Sequence, residues 1–344
     1  MVRQKRQNIH DVARAAGVSI ATVSRVINNN YPVDPDTRER VNRAIRDIGY
    51  YPDAAARTMR GNNSFVIGYV VSDISNSHFT VIAKAIEEIA GRNDYGMLVC
   101  STGGDAKLEE YYLRTLMSRK ISTLVINATG ENDELIAAIS RTLPVILIYR
   151  QLHNESFQGD FVGSDDFDGA YRLGKLAVEH GHRRIGLVCG PSSLNTGTER
   201  RRGFETALAE AGVRLPESLV YEGDFYRESG IKGAEKLLSG RAKPPTLLAA
   251  MNNAMAMGVM TYIRSAGLTV PADLSFLSFG DIHNRELLYF QPTVLSQNPH
   301  EIGSVVGRLL LSRLANPQRT PERIMIQGKV LEGDSVGDIT PSCG

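Results

Sequence analysis

Cysteine is scarce in this 344-residue chain: Cys100, Cys189 and Cys343 are odd in number and far apart. They form no C-x-x-C pair and no His/Cys cluster of metal-ligand spacing, which argues against a disulfide framework or structural zinc and fits a reducing cytoplasm. Long apolar runs are lacking too. No stretch reaches the ~18 apolar residues of a membrane span, and no apolar segment of signal-peptide length follows the basic start Met1–Asn8, so neither spanning nor export is expected. The signatures G-x-G-x-x-G after a strand, G-x-x-x-x-G-K-[ST], G-x-S-x-G and H-E-x-x-H are all missing, which removes the usual dinucleotide, nucleotide, hydrolase and zinc-protease readings. Nothing asks for a cofactor.

Net charge is nearly absent as well, at +1, but the sum hides an asymmetry. Residues 1–61 carry 11 Lys and Arg against 6 Asp and Glu, net +5, and the remaining 28 against 32 give −4. A basic module on a mildly acidic body is the distribution of a small nucleic-acid reader joined to a larger domain. On charge alone, a solvated basic arm fits equally well. With 42% hydrophobic and 22% charged residues the chain is expected to fold, as two or three domains of roughly 100–200 residues each.

Pattern favours the reader. Ile9, Val12, Ala13 and Ala16 recur at helical spacing, and Gly17 supplies a left-handed stop. Ser19 is a natural N-cap for a second helix over 20–28, with Val23, Val26 and Ile27 on one face and Ile20, Ala21 and Arg25 facing outward. Two short helices around a glycine-bearing turn make a helix-turn-helix, whose second helix enters the major groove. Asp34 and Pro35 open a third helix in which Val41, Ala44, Ile45 and Ile48 are periodic, and Gly49 closes it. Asp53–Arg60 has a cap and high helix propensity but falls short of the ~12–15 residues an isolated helix needs in water, so it should form only when something orders it. Residues 61–64 read as a linker.

From Ser64 onward, short apolar β-rich runs (65–71, 97–100, 123–127, 145–148, 185–189, 247–250 and 275–278) alternate with helix-like segments. Such alternation implies parallel sheets with helices on both faces. One α/β unit is expected to end near Phe161 and another to run from Val162 to Asn284, with a ligand cleft where strand ends meet between them. His180 and His182 suggest a metal pair, but they fall in a helix-to-strand turn with no third ligand, so no metal is expected. An α/β enzyme is the rival from another class, since such bodies host many chemistries. A free solute-binding protein would share the body but has no use for residues 1–61.

The ordered set Val12-Ala13, Gly17-Val18-Ser19, Thr22-Val23-Ser24-Arg25-Val26, Asn28, Thr37-Arg38, Gly49-Tyr50, Pro52 and Ala56-Arg57 resembles the headpiece of the lactose-repressor (LacI/GalR) family of bacterial transcription regulators. His180-Gly181-His182, Gly190-Pro191, Arg200 with Gly203-Phe204, Gly223-Asp224-Phe225 and Val270-Pro271-Ala272-Asp273 resemble, in order, its effector domain, which is similar to periplasmic sugar-binding proteins. The resemblance covers nearly the whole chain. It implies an all-α helix-turn-helix headpiece with a hinge helix (residues 1–61, hinge about 53–60), joined to an α/β body of two doubly wound lobes (residues 62–344) that binds effector and dimerises. The implied protein is a cytoplasmic, nucleoid-associated repressor of a carbohydrate or sugar-acid operon. It would act as a homodimer on a near-palindromic double-stranded DNA operator, under a small-molecule effector. The end of the sequence has no a/d heptad pattern, so a tetramerising coiled coil is not expected.

Carried onto this sequence, the family pattern makes Ile20 and Ala21 the specificity positions and Arg25 the arginine toward the operator interior. Ser19, Thr22 and Ser24 would serve phosphates, Asn28 closes the helix's DNA-facing set, and Ala56 and Met59 lie on the hinge. Met59 stands where the family usually wedges a leucine into the minor groove. Two apolar readers favour thymine methyls over adenine, and Arg25 suits a guanine. The effector cleft would be lined by His78, Phe79, Thr196, Arg200, Phe225, Asn252 and Asp281. A helix N-terminus with an arginine makes an anion or polyol clamp, and Phe225 can stack on an apolar ligand face. Of Arg200, Arg201 and Arg202, only one should face the cleft. Sugar-binding members carry carboxylates where this chain has Gly280 (with Asp281 one place late), Asn253 and Tyr149-Arg150. Losing three carboxylates beside Arg200 points to a sugar acid or another anionic metabolite over a neutral sugar. Leu194 and Gly280 lack the polar groups that purine-binding relatives use, which disfavours a purine.

Overall fold

Three helices occupy the described part of the N-terminal unit: α1 (Ile9–Ala16), α2 (Ile20–Asn28) and α3 (Pro35–Asp47). The structure, a computed structural model, describes residues 7–28, 31–50 and 65–339. The hinge segment 53–60 with Ala56 and Met59, the linker 61–64 and Cys343 lie outside those residues. Each helix end has a local cause. The Asn8 side chain accepts from the amides of His10 and Asp11 while Asp11 accepts from the Asn8 amide, a reciprocal cap that satisfies donors the helix itself cannot. Gly17 stops α1 at φ 64°, where a side chain would be strained. Ser19 Oγ accepts from the Thr22 amide at 3.1 Å, and Asp34 accepts from that of Thr37 at 3.0 Å. Val12, Val23 and Val41, one from each helix, are fully buried and meet in one cluster that Tyr50 joins. Burying each valine contributes about 1.5–3 kcal/mol, which a unit this small needs.

The chain divides into two compact units, Met1–Ser64 and Phe65–Gly344. The second holds two six-stranded sheets. Its strands are β1 (Val66–Val71), β2 (Gly96–Ser101), β3 (Thr123–Ile126), β4 (Val145–Ile148), β5 (Asp160–Ser164), β6 (Ile185–Cys189), β7 (Val220–Glu222), β8 (Leu247–Ala250), β9 (Ser275–Phe279), β10 (Thr293–Ser296), β11 (Arg323–Ile326) and β12 (Lys329–Leu331). The first sheet runs β11-β5-β4-β3-β1-β2, all parallel, and the second β12-β10-β9-β8-β6-β7, parallel except at β12. Helices α4 (Ser77–Gly91), α5 (Ala106–Ser118), α6 (Asp133–Ser140) and α11 (Pro299–Ala315) serve the first sheet. Helices α7 (Asp166–Glu179), α8 (Asn195–Glu210), α9 (Arg227–Leu238) and α10 (Asn253–Ser265) serve the second. Strands such as β3, β4 and β8 are buried along their whole length, the state of parallel strands covered on both faces.

The lobes are not consecutive in sequence, and this amends the expected boundaries. A division at 161/162 would cut β5, which belongs wholly to the first sheet, and the chain returns to that sheet after β10: α11 packs on α4, and β11 pairs with β5. The chain thus crosses between lobes after Ser164, after Ser296 and after Ile326. A buried ion pair explains why α11 belongs to the first lobe, for Arg313 meets Asp160 on β5 with both side chains no more than 6% exposed. Where two crossings run side by side, Gln297 Nε2 donates to Ser164 Oγ at 2.6 Å. His180 is held by Asp338 at 2.7 Å and His182 by Thr246 at 2.9 Å, and among the described residues no His/Cys/Asp/Glu group could hold a metal. No described helix is long and apolar enough to cross a membrane.

Candidate functional site

On the headpiece, α2 buries Val23 and Val26 and turns Ile20, Ala21 and Arg25 outward, with Ile20 39% exposed. The Arg25 guanidinium lies 5.6 Å from the Tyr31 ring, a contact that steadies a long side chain without neutralising it. Ser19 and Thr22 hydroxyls sit 2.9 Å apart at the exposed start of the helix, Ser24 lies one turn on and half buried, and Asn28 is the last helical residue. The exposed end of α2 therefore carries hydroxyls and a guanidinium around two small apolar side chains.

In the body, a cavity of about 70 Å³ lies between the lobes at the C-terminal ends of strands of both sheets. His78, Phe79, Thr196, Arg200, Phe225 and Asn252 all line it. Asp281 does not: it faces an adjoining surface hollow and accepts from the Gln297 amide at 3.0 Å. Gly280, at φ 92°, turns the chain before Asp281 so that its carboxylate secures a crossing loop.

His78 is 7% exposed, and its Nε2 meets the Tyr149 hydroxyl at 2.7 Å. Burial first, and then the nearby Arg200 charge, push its pKa down to about 3, so the ring is neutral at physiological pH. Tyr149 reaches it from a backbone at φ 61°, a left-handed conformation at the end of β4 that non-glycine residues adopt at a cost. Phe225, at φ 72°, places its ring against Gly190, where a Cβ would stand 2.0 Å from ring carbon; only glycine leaves room. Asn252 is spent on scaffolding, since its Oδ1 caps α10 at the Met255 amide and its Nδ2 donates to the Phe225 carbonyl.

Arg200 is 6% exposed and held at two donors and one face: Nε to Asp166 at 2.8 Å, Nη1 to the Met251 carbonyl at 2.8 Å, and its guanidinium carbon 4.1 Å from the Phe279 ring centre. Burial raises the Asp166 carboxyl above its ordinary range, and the Arg200 charge and hydrogen bond offset only part of that rise. Arg201 pairs with Glu205 and Glu217, and Arg202 with Glu199, away from the cavity. A second guanidinium, Arg150, also lines the cavity. One Nη donates to the Ala128 carbonyl at 2.9 Å, the guanidinium lies 5.7 Å from the Phe225 ring, and no carboxylate pairs with it among the described residues. Burial pulls its pKa to about 10, still cationic at neutral pH.

Sequence reasoning left out Ser72, Asp73, Asn76, Asn127, Asp224, Tyr226 and Gln297, and treated Tyr149, Arg150 and Asn253 only as departures from the family pattern; all ten line the cavity. Most follow the C-terminal end of a strand, the place where ligands gather in open α/β sheets, and that rule is the signal that could have found them. Across the cavity mouth Asn76 and Asn253 exchange reciprocal side-chain hydrogen bonds at 3.2 and 2.8 Å, joining one lobe to the other. Asp73 and Asp224 sit toward solvent, so the missing carboxylates are partly restored from other segments.

Residues 8–53 match the family described as bacterial regulatory proteins, lacI family, and residues 175–336 the periplasmic binding protein-like domain. The chain is 31% identical over 334 residues to the HTH-type transcriptional repressor PurR of Escherichia coli O1:K1 / APEC, covering 96% of this chain and 97% of that protein. It aligns with the structure of a transcriptional regulator CelR–cellobiose complex at 26% identity and a TM-score of 0.71, over 96% of this chain and 100% of that one. The fold also matches a lac repressor dimer bound to operator and the anti-inducer ONPF, with a TM-score of 0.82 at 24% identity, over 97% and 100% of the two chains. The chain therefore belongs to the LacI family of bacterial regulatory proteins, as a DNA-binding transcription repressor with a ligand-binding domain and not an enzyme.

Proposed function

We propose that the protein is an effector-controlled repressor that binds a near-palindromic operator as a homodimer, with residues 1–61 as the reading domain and 62–344 as the effector and dimerisation domain. Its effector is a small sugar acid or related hydroxy acid seated between the lobes, and the genes it controls handle that metabolite. It acts at the nucleoid, where the operator is. Ile20 and Ala21 read thymine methyls, Arg25 reads a guanine, and Ser19, Thr22 and Ser24 with Asn28 hold the backbone. The hinge, through Ala56 and Met59, completes the contact.

One observation carries the effector reading. Seven buried side-chain polar atoms lack a hydrogen-bond partner among the described residues, and four of them, His78 Nδ1, Asn127 Oδ1, Thr196 Oγ1 and Tyr226 Oη, belong to residues lining this cavity. Unmet buried polar groups cost about 1–3 kcal/mol each, and a ligand rich in donors and acceptors relieves that cost. Thr196 lies at the start of α8, whose N-cap residue Leu194 offers no side-chain acceptor; the Gly197 and Thr198 amides turn to the Leu194 carbonyl, and those of Asn195 and Thr196 add to the set. Ligand binding changes operator affinity through its different affinity for the two lobe arrangements.

The test is selection of bound fragments from randomised duplex DNA, with the full chain and with a version starting at Phe65, at two salt concentrations. One near-palindrome recovered by the full chain alone, with salt-sensitive affinity, is the expected result. Enrichment of no sequence, with or without cell metabolites, overturns the reading.

A further inference from the structure

The arginine that the family pattern assigns to the ligand is partly committed within the protein. Arg200 gives Nε to the buried Asp166 and Nη1 to a main-chain carbonyl, and its face is covered by Phe279, so the pair enters the cavity with little net charge. Arg150 is different. One of its five donors is used by the Ala128 carbonyl, and the others have no acceptor among the described residues. Glu109, the carboxylate whose field reaches it, is wholly buried and already accepts from the Thr129 amide, the Thr129 hydroxyl and the Asn132 side chain. The Tyr226 hydroxyl, buried and without a partner, feels this guanidinium and, against it, the more exposed carboxylates of Asp73 and Asp224. A cation with a single protein acceptor and no carboxylate partner, lining the same cavity as a phenol with nothing to donate to, is an unfinished hydrogen-bond site for an anion.

We infer that Arg150, with the Tyr226 hydroxyl, receives the carboxylate of the effector and so sets the preference for an acid over the neutral sugar of the same shape. Phe225, whose ring lies against the same guanidinium, fixes the fork's plane. This inference rests on the reading of the cleft as the site of a hydroxy acid. Arg150 occupies a place where sequence comparison registered only a lost carboxylate, so the substitution supplies a positive group as well as removing a negative one.

The experiment is calorimetric titration of the full-length protein with D-gluconate, D-glucuronate and D-galacturonate, each against its neutral counterpart: sorbitol, glucose and galactose. Wild type, Arg150→Met, Arg150→Lys and Tyr226→Phe are compared, with thermal melting to confirm folding. At least one acid is expected to bind more tightly than its neutral counterpart. Arg150→Met then weakens that acid roughly 10- to 100-fold, the loss of one hydrogen bond to a charged group, while the neutral counterpart changes little. Arg150→Lys falls between, since it keeps the charge and loses the fork. Tyr226→Phe weakens the acid several-fold. If Arg150→Met does not fold, the other two variants decide. Unchanged acid affinity in the variants overturns the role of Arg150 and leaves the acid class standing. Tighter binding of a neutral sugar, or no acid bound at millimolar concentration, overturns the acid class and the role of Arg150 with it.

Discussion

The headpiece and the interlobe cavity solve opposite problems. On α2 the groups proposed to read DNA stand in water, and their positions are set by one helix whose other face is buried against two neighbours. In the cavity many of the lining groups are buried, and they come from segments as far apart as Asn76 and Gln297. An exposed surface is cheap to maintain and pays for binding only when DNA arrives, through counterion release and base contacts. The cavity instead carries unmet polar atoms and buried charge, so its stability and its proposed ligand affinity are two readings of the same groups.

Removing residues 1–64 tests that contrast most strongly. Operator binding should be lost entirely while calorimetric ligand binding by the body persists, and loss of both would mean that the two regions are not separable. The next effect is on stability. Arg200→Ala leaves Asp166 buried without its counter-ion, and urea unfolding should show a loss of about 3–5 kcal/mol. Asp166 then keeps the upward push of burial and loses both of Arg200's downward ones, so its folded pKa exceeds its unfolded one. Folding takes up a proton there, and the deficit against wild type is smallest at acidic pH and widens as pH rises through that folded pKa. A deficit that shrinks as pH rises would contradict this.

On the exposed side the effects are smaller. Arg25→Ala should weaken the selected operator by roughly 1–3 kcal/mol in an anisotropy titration and relax preference at one base pair, with no change in thermal melting. A uniform loss across all sequences would make Arg25 a phosphate contact instead. The smallest effect belongs to the amide pair at the cavity mouth. Asn253→Ala removes both Asn76 hydrogen bonds, weakens closure by about 0.5–1.5 kcal/mol, and should enlarge the radius of gyration of the unliganded body in small-angle scattering. An unchanged radius would assign closure to other contacts.

Legibility in the sequence follows the same divide. Ile9, Val12, Ala13 and Ala16 and the stop at Gly17 sit within one helix, where spacing alone determines the buried face, and α1 ends where that pattern ends. The alternation of runs likewise gives the α/β body, with helices on both faces of parallel sheets. What spacing does not encode is the return of α11 and β11 to the first lobe. Arg323–Ile326 is four residues long, alternately exposed and half buried, and its place beside β5 depends on partners far away in sequence. The cavity suffers most from this. Asn127, Asp224 and Gln297 are single polar residues after strands, unremarkable until the topology brings those strand ends together. Arg150 and Asp166 show the limit at finer scale: sequence pointed to Arg200 as the free cation, and only packing reveals that a carboxylate from α7 neutralises it.

The most direct measurement is the operator dissociation constant with and without saturating sugar acid, paired with the acid's own dissociation constant with and without operator. Linkage requires the two ratios to be equal, and a coupled repressor should give a common factor of about 5–150. Operator affinity unchanged by an acid that calorimetry shows bound in the cleft would contradict effector control through this cavity.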